Sequence, residues 1–468
     1  MMPCFRSALP CPVRTRLLTL VFSFSLVLTG IAQTTAFIPA PEDETLLKKL
    51  SGKYEEQYKA DLTALPAQYK EDFKKIYQQR WEHIKSKFDD KEIYTAAAAQ
   101  QYLDALTNEI VQANPSLKQQ TFRCYFSRSG NPNASYIGEG IILINMGLFY
   151  RLDNESQAAF VIAHEIAHFL LKHSDNAINR YVTTINSPAV QAELRKIKGS
   201  EYKKREQLDK LVKGLTFTSR RHSRDHESEA DSVAVALVRN TKFDVSAALT
   251  TLALLDTIDA DPFNTAAALE TTFNAPKYPF QKKWIAKEEG LLGGHALLKE
   301  DNTLDDSLKT HPDCRQRIQL LQPVINGYGQ SARPANVIDK ARFDTLKNDF
   351  RYEIIAWSYA ANNYTRSLYF TLALLQQKPG DPYLVAHTGT LLNSIHAAQK
   401  AHTLGKYIDL PSPGYPASYN LLLQFIQNLY LENLASISYH FLNRYHVQLK
   451  GYEPFKTAYS ASIQIATQ

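Results

Sequence analysis

At 468 residues the chain has room for two or three domains, each with its own core. Apolar residues make up 44% and charged residues 21%, with no low-complexity tract, which excludes a fibrous or disordered protein. The formal net charge is +6, but Arg6, Arg14 and Arg16 lie in the first 32 residues, which hold no acid; the remainder has 50 basic against 47 acidic residues, and charge makes no case for a nucleic-acid partner.

Residues 1–32 read as a secretory signal. The three arginines form a basic lead-in, Leu17 to Leu28 is an apolar run, and Thr29-Gly30-Ile31-Ala32 supplies the small residues that precede a signal-peptidase cut. The run is short for a membrane span; an uncleaved anchor is the other reading. Export puts the rest of the chain in the periplasm or outside the cell. Only Cys124 and Cys314 remain after the leader. They are either a disulfide pair or, the reading preferred here, two buried thiols, and neither has metal-ligand spacing.

From Glu44 to about Val111 apolar and aromatic residues recur every three to four positions among many charges (Leu50, Tyr54, Tyr58, Tyr77, Trp81, Phe88), which predicts helices covering a core. Gln120 to Phe149 changes character. Thr121 to Phe126 is strand-like, residues 129–133 are turn-like, and Ile141 to Ile144 is a β-rich run. A small sheet here is either a core hairpin or a strand edge on which an extended peptide can be added.

The next stretch carries the chemistry. His164-Glu165-Ile166-Ala167-His168 lies in an apolar, helix-favouring run that a capping box at Asn154 and Gln157 would start. Histidines four apart share a helix face, so both imidazoles reach one ion. Glu165 sits beside them, placed to take a proton from a water that zinc has made acidic. Downstream, Asn186 to Arg224 is highly charged and reads as solvated helix, with a basic surface cluster at 219–224. Glu227-Ser228-Glu229-Ala230-Asp231 opens another helical run. A catalytic zinc needs a third protein ligand, and Glu227 fills a His2Glu set with Asp231 one turn on to hold a ligand histidine; Glu229 or His226 competes for the ligand role. Thr241 to Asp259 reads as an amphipathic helix. Residues 260–309 are Pro- and Gly-interrupted, the pattern of a lid or an insertion. Pro312 would open the first turn of a helix bearing Arg317. Residues 326–334 read as a linker. Residues 335–468 look all-helical, and Tyr364 to Tyr383, with its Lys-Pro-Gly-Asp-Pro turn, is like part of a tetratricopeptide repeat; an irregular bundle is the alternative.

Taken in order, these pieces resemble peptidase family M48 over roughly residues 95–325. Asn133-Ala134 and the Gly138-to-Asn145 strand are similar to the family's edge strand, although its Pro-Gly-Gly is replaced by Ile137-Gly138-Glu139-Gly140. His164 to His168 with His173 is similar to its extended H-E-x-x-H-x4-H, Glu227 to Asp231 to its E-x-E-A-D, and His311-Pro312 with Arg317 to its H-P-x4-R. The resemblance implies zinc on His164, His168 and Glu227, the last in preference to Glu229. It implies Glu165 as general base and acid, Asp231 orienting a ligand histidine, and His311 near the metal, as oxyanion stabiliser or plug, with Arg317 supporting it. It makes His173 structural. It implies substrate contacts from Asn133, Ala134, Ile141, Ile142 and Leu143. A metzincin site is rejected, because Leu171 and Ser174 stand where that motif needs glycine and histidine.

The expected architecture is α+β and mostly α. It comprises a signal peptide (1–32), an N-terminal helical segment packed on the peptidase (33–94), a gluzincin-type zinc metallopeptidase domain with a small sheet (95–325), a linker (326–334) and a TPR-like helical domain (335–468). A leader, one peptidase domain and a repeat-like tail resemble the BepA-like branch of the family, which implies protein quality control in the envelope. The expected cofactor is one Zn2+ per chain. Expected partners are protein or peptide substrates and an envelope protein on residues 335–468, with membrane association only if the leader stays on. Two rivals are a chaperone or scaffold with a plugged or vestigial zinc site, and a zinc hydrolase of a non-peptide bond.

Overall fold

The computed structural model describes residues 36–200, 204–258, 260, 263–286, 314–328 and 333–467, without the side chains of 206 and 209–223. The leader read at 1–32 and His311 lie outside the described residues. Helices α1 (Glu44–Thr63), α2 (Lys70–Asp89) and α3 (Ala97–Ala113) precede a sheet of β1 (Arg123–Ser127), β2 (Ala134–Gly138) and β3 (Ile141–Asn145). The strand order is β1-β3-β2, with β1 parallel and β2 antiparallel to the central β3. Alternation along the strands decides what each face meets. Tyr125, Ile141 and Leu143 pack against Leu47, Tyr54, Trp81, Ile84 and Phe88, so α1 and α2 cover one face. Cys124, Phe126, Ile142 and Ile144 point into the larger core on the other. The β2–β3 turn needs its glycines: at Gly138 φ is +110° and a Cβ would meet Arg80 Nε at 2.9 Å, and at Gly140 φ is +74° and a Cβ would meet the Thr121 carbonyl at 2.6 Å.

After a short helix α4 (Met146–Phe149), α5 (Glu155–Leu170) is buried along nearly its whole length. Asn154 caps it, accepting from Gln157 N at 3.0 Å, a contact of about 1 kcal/mol. The reciprocal arm of the expected capping box reaches one residue further back, Gln157 Oε1 accepting from Asp153 N at 2.8 Å. Glu155, fully buried, accepts from Tyr102 Oη (2.8 Å) and from the backbone N–H of Val337, Ile338 and Asp339 (2.6, 2.6 and 2.7 Å), tying the start of α5 to a distant part of the chain.

α6 (His173–Ile185) follows, and the charged segment from Asn186 forms α7 (Pro188–Gly199) and the first part of the long α8 (Lys204–Arg239), which packs along α5. Then come α9 (Ala247–Thr257) and α10 (Thr265–Phe273). The stretch 260–309 was expected to be irregular. The structure instead has α10 within it, because Pro262, Pro276 and Pro279 all lie outside 265–273 while Leu269 and Phe273 are buried against Trp284 and the C-terminal helices. Residues 287–313 lie outside the described residues. α11 (Cys314–Gly327) packs on α9 and α8. Cys124 and Cys314 are buried thiols not joined by a disulfide.

Residues read as a linker carry anchoring contacts: Arg333 Nη1 donates to the carbonyls of Arg239 (2.8 Å) and Thr241 (2.7 Å). α12 (Lys340–Ala360) faces two cores at once. Phe343, Leu346, Phe350 and Ile354 join the core around α5, and Tyr352 and Ile355 join a second core. That second core is built by α13 (Tyr364–Gln377), α14 (Pro382–Lys400), α15 (Ala417–Asn428), α16 (Leu431–Asn443), α17 (His446–Leu449) and α18 (Glu453–Ala466). The Lys-Pro-Gly-Asp-Pro turn behaves as its composition demands: Gly380 takes φ +77°, Asp381 caps α14 by accepting from Leu384 N at 3.1 Å, and Pro382 opens it. Phe37–Gln468 form one compact unit, mostly helical with a small sheet, as the fold class expected. Among the described residues no helix is long and apolar enough to cross a membrane.

Candidate metal centre

α5 presents His164 and His168 on one face, ring centroids 4.7 Å apart. α8 brings Glu227 and Asp231, one turn from each other, to the same place. The two Nε2 atoms are 3.0 Å apart, and the Glu227 carboxylate lies 3.5 Å from each of them. One donor atom from His164, His168 and Glu227 thus falls within 4.8 Å of the other two. Arg317, on α11 and nearly fully buried, clamps Asp231 bidentately (Nε–Oδ2 2.6 Å, Nη2–Oδ1 2.7 Å) and reaches Glu227 with Nη1 at 3.1 Å. Asp231 Oδ1 is also 3.0 Å from His164 Nδ1. That carboxylate, close to Nδ1 but outside hydrogen-bonding geometry, favours the tautomer with its proton on Nδ1 and leaves Nε2 toward Glu227.

Burial opposes charge on His164, yet the Asp231 and Glu227 carboxylates 3.0 and 3.5 Å away outweigh burial and hold the ring up at about 10. Burial, with the neighbouring His164 charge, pushes His168 down to about 3. Burial works against the Glu227 and Asp231 carboxylates too, but their bonds to His164 and Arg317 keep both below the usual range. Burial raises Glu165, partly offset by His164 and by the N–H of Tyr136, which donates to Oε2 at 2.7 Å. Two imidazoles and a carboxylate converge in a field of excess negative charge. That field puts a proton on His164 and equally favours a divalent cation that displaces it. The donor set fits a His2Glu zinc site.

The structure thus brings together His164, Glu165, His168, Glu227, Asp231 and Arg317 of the expected residues. It does not bring the expected β3 residues to the site. Ile141, Ile142 and Leu143 lie in central β3, paired on both sides and buried, so no substrate strand can add there. The edge is β2, where Tyr136 N–H points away from β3 to Glu165. Ala134 starts β2 and is buried; Asn133 accepts at its carbonyl from Asn145 N (3.1 Å). The sequence singled out His173 as structural but not its partners. His173 Nδ1 is 2.8 Å from His168 Nδ1, and His173 Nε2 is 3.3 Å from Glu229. The x4 spacing between His168 and His173 was the available signal.

A helix-borne H-E-x-x-H completed by an acid from a second helix defines a site of metallopeptidase type. Residues 97–325 match the model of Peptidase family M48. It is also 23% identical over 295 residues to the beta-barrel assembly-enhancing protease of Yersinia pestis, covering 60% of this chain and 55% of that protein. It is 27% identical over 154 residues to the putative beta-barrel assembly-enhancing protease of Vibrio cholerae serotype O1, covering 31% of each. The chain thus spans about half or less of the length of these relatives.

Proposed function

We propose that the protein is a zinc-dependent endopeptidase of the cell envelope, acting on unfolded or misassembled proteins. The observation that carries this reading is the convergence of His164 Nε2, His168 Nε2 and the Glu227 carboxylate, with the Glu165 carboxylate beside them, in a stretch that matches the model of Peptidase family M48. One zinc ion per chain would be held by His164, His168 and Glu227. When bound, it supplies the Lewis acidity that polarises a peptide carbonyl and lets a water lose a proton near neutral pH. Glu165 takes that proton on a carboxylate oxygen and delivers it to the leaving amine nitrogen. Asp231 fixes the His164 tautomer, and Arg317 fixes Asp231. An extended substrate segment adds to the edge of β2, beside Glu165. The leader read at 1–32 supports a periplasmic or secreted site of action. The names of the two relatives tie proteolysis to β-barrel assembly, which supports a quality-control role, with the TPR-like helices from Lys340 onward offering a surface for an envelope partner.

The test compares the protein from Gln33 onward with Glu165→Gln, measuring bound zinc and cleavage of casein. Both should hold about one zinc and only the wild type should cleave. Two proteins without zinc would overturn the site. Equal cleavage by both would overturn Glu165 as the proton carrier.

A further inference from the structure

We propose that His173 and Glu229 form a positioning relay that sets the tautomer of His168 and so presents its Nε2 to the metal. This rests on the reading of His168 as a zinc ligand. His173 opens α6 and lies directly after Lys172, whose backbone is left-handed at φ +51°. That turn folds the chain back, so that the His173 ring stands over the end of α5 with its centroid 4.9 Å from that of His168.

The hydrogen-bond chain has one consistent proton assignment for neutral rings. A carboxylate only accepts, so Glu229, 3.3 Å from His173 Nε2, requires the proton of His173 on that nitrogen. His173 Nδ1 is then a bare acceptor. Across the 2.8 Å gap, His168 Nδ1 must donate. The lone pair of His168 is left on Nε2, the atom 3.0 Å from His164 Nε2 and 3.5 Å from Glu227. On the other side, the Asp231 carboxylate stands directly beside His164 Nδ1 at 3.0 Å, with no intervening ring. His226 stacks flat on His173, centroids 4.2 Å apart and planes within 6°, and limits its tilt. His173 is nearly buried while Glu229 is largely exposed, so His173 carries most of the effect and Glu229 tunes it.

The relay is tested by zinc affinity, measured by competition with a chromophoric chelator on the full-length protein, with thermal unfolding of the metal-free forms as the control for folding. His173→Phe keeps a ring against His226 but offers no acceptor; it should weaken zinc binding about 10–100-fold. His173→Asn offers Oδ1 in place of Nδ1 and should bind zinc within a few-fold of wild type. Glu229→Gln should weaken binding by less than His173→Phe, and should have no effect in the His173→Asn background, where the second link is gone. Wild-type affinity in His173→Phe, or equal damage in the Phe and Asn variants, would overturn the relay. An equal effect of Glu229→Gln in both backgrounds would remove Glu229 from it and leave only a through-space charge. Wild-type affinity in His168→Ala would instead overturn the ligand reading itself, so the two failures are distinct.

Discussion

Asp231→Asn probes the centre with almost no change in shape. Asp231 is 1% exposed and faces three nitrogens: Oδ1 accepts from Arg317 Nη2 and lies 3.0 Å from His164 Nδ1, and Oδ2 accepts from Arg317 Nε. An amide has one acceptor. With its oxygen toward His164, its NH2 meets the Nε–H of Arg317, donor against donor. Turned round, its NH2 meets His164 Nδ1 and drives the ring proton to Nε2, the atom needed for a metal. Either way the buried Arg317 loses its main counter-charge and, among the described residues, keeps Glu227 at 3.1 Å. Breaking a buried ion pair by removing one partner costs about 3–5 kcal/mol, and that should appear as lower stability of the metal-free protein in urea. Loss of the group orienting a ligand histidine should weaken zinc about 10–100-fold, or about 1.4–2.8 kcal/mol. The assay is chelator competition beside equilibrium unfolding. A variant that unfolds like wild type and binds zinc within twofold of it would refute the reasoning, for Asp231 would then orient nothing.

Further outcomes follow from two other polar side chains. Glu155→Gln leaves two of the four donors around that side chain facing an NH2 group, at about 1–3 kcal/mol each; it should lower unfolding free energy and speed hydrogen exchange at Val337, Ile338 and Asp339, and unchanged exchange there would contradict the contact. His387, on α14 and hydrogen-bonded to Ser367 Oγ at 2.8 Å, is pushed down to about 4 by burial. The unfolded chain then takes up a proton near pH 6.5 that the folded chain refuses until about pH 4. Stability is therefore lost as pH falls through that window, by at most about 3 kcal/mol, less where the ring edge opens on the groove beside it. The wild-type-minus-His387→Gln difference in unfolding free energy between pH 7 and 4 reads this directly; a flat difference would reject it.

The centre was legible where its logic is local. His164 and His168 follow from helical spacing, and the α5 cap from Asn154. Glu227 is a different case: it reaches the histidines only because α8 packs along α5, and the E-x-E-A-D resemblance was needed to choose it over Glu229. What depended on chain reversal was not legible. Lys172 carries no sign that it adopts φ +51°, yet that turn is what places His173 on His168. Strand order was hidden too: β3 follows β2 in sequence but lies between β1 and β2, so the last strand was mistaken for the edge. α10 was masked by flanking prolines, and its anchor in the second core is a tertiary fact.

The Glu155 contact sets an order of events during synthesis. The amides that satisfy this carboxylate are 182 to 184 residues further along the chain. At ribosomal speeds of about 5–20 residues per second, that is a delay on the order of ten seconds or more. Until residue 339 has emerged, the first turn of α5 holds an acid short of three of its four donors in an apolar core. The helix that bears His164, Glu165 and His168 therefore reaches its final seat only when most of the chain is made, and a chain broken off before Val337 would carry the whole H-E-x-x-H motif without the clasp that seats it.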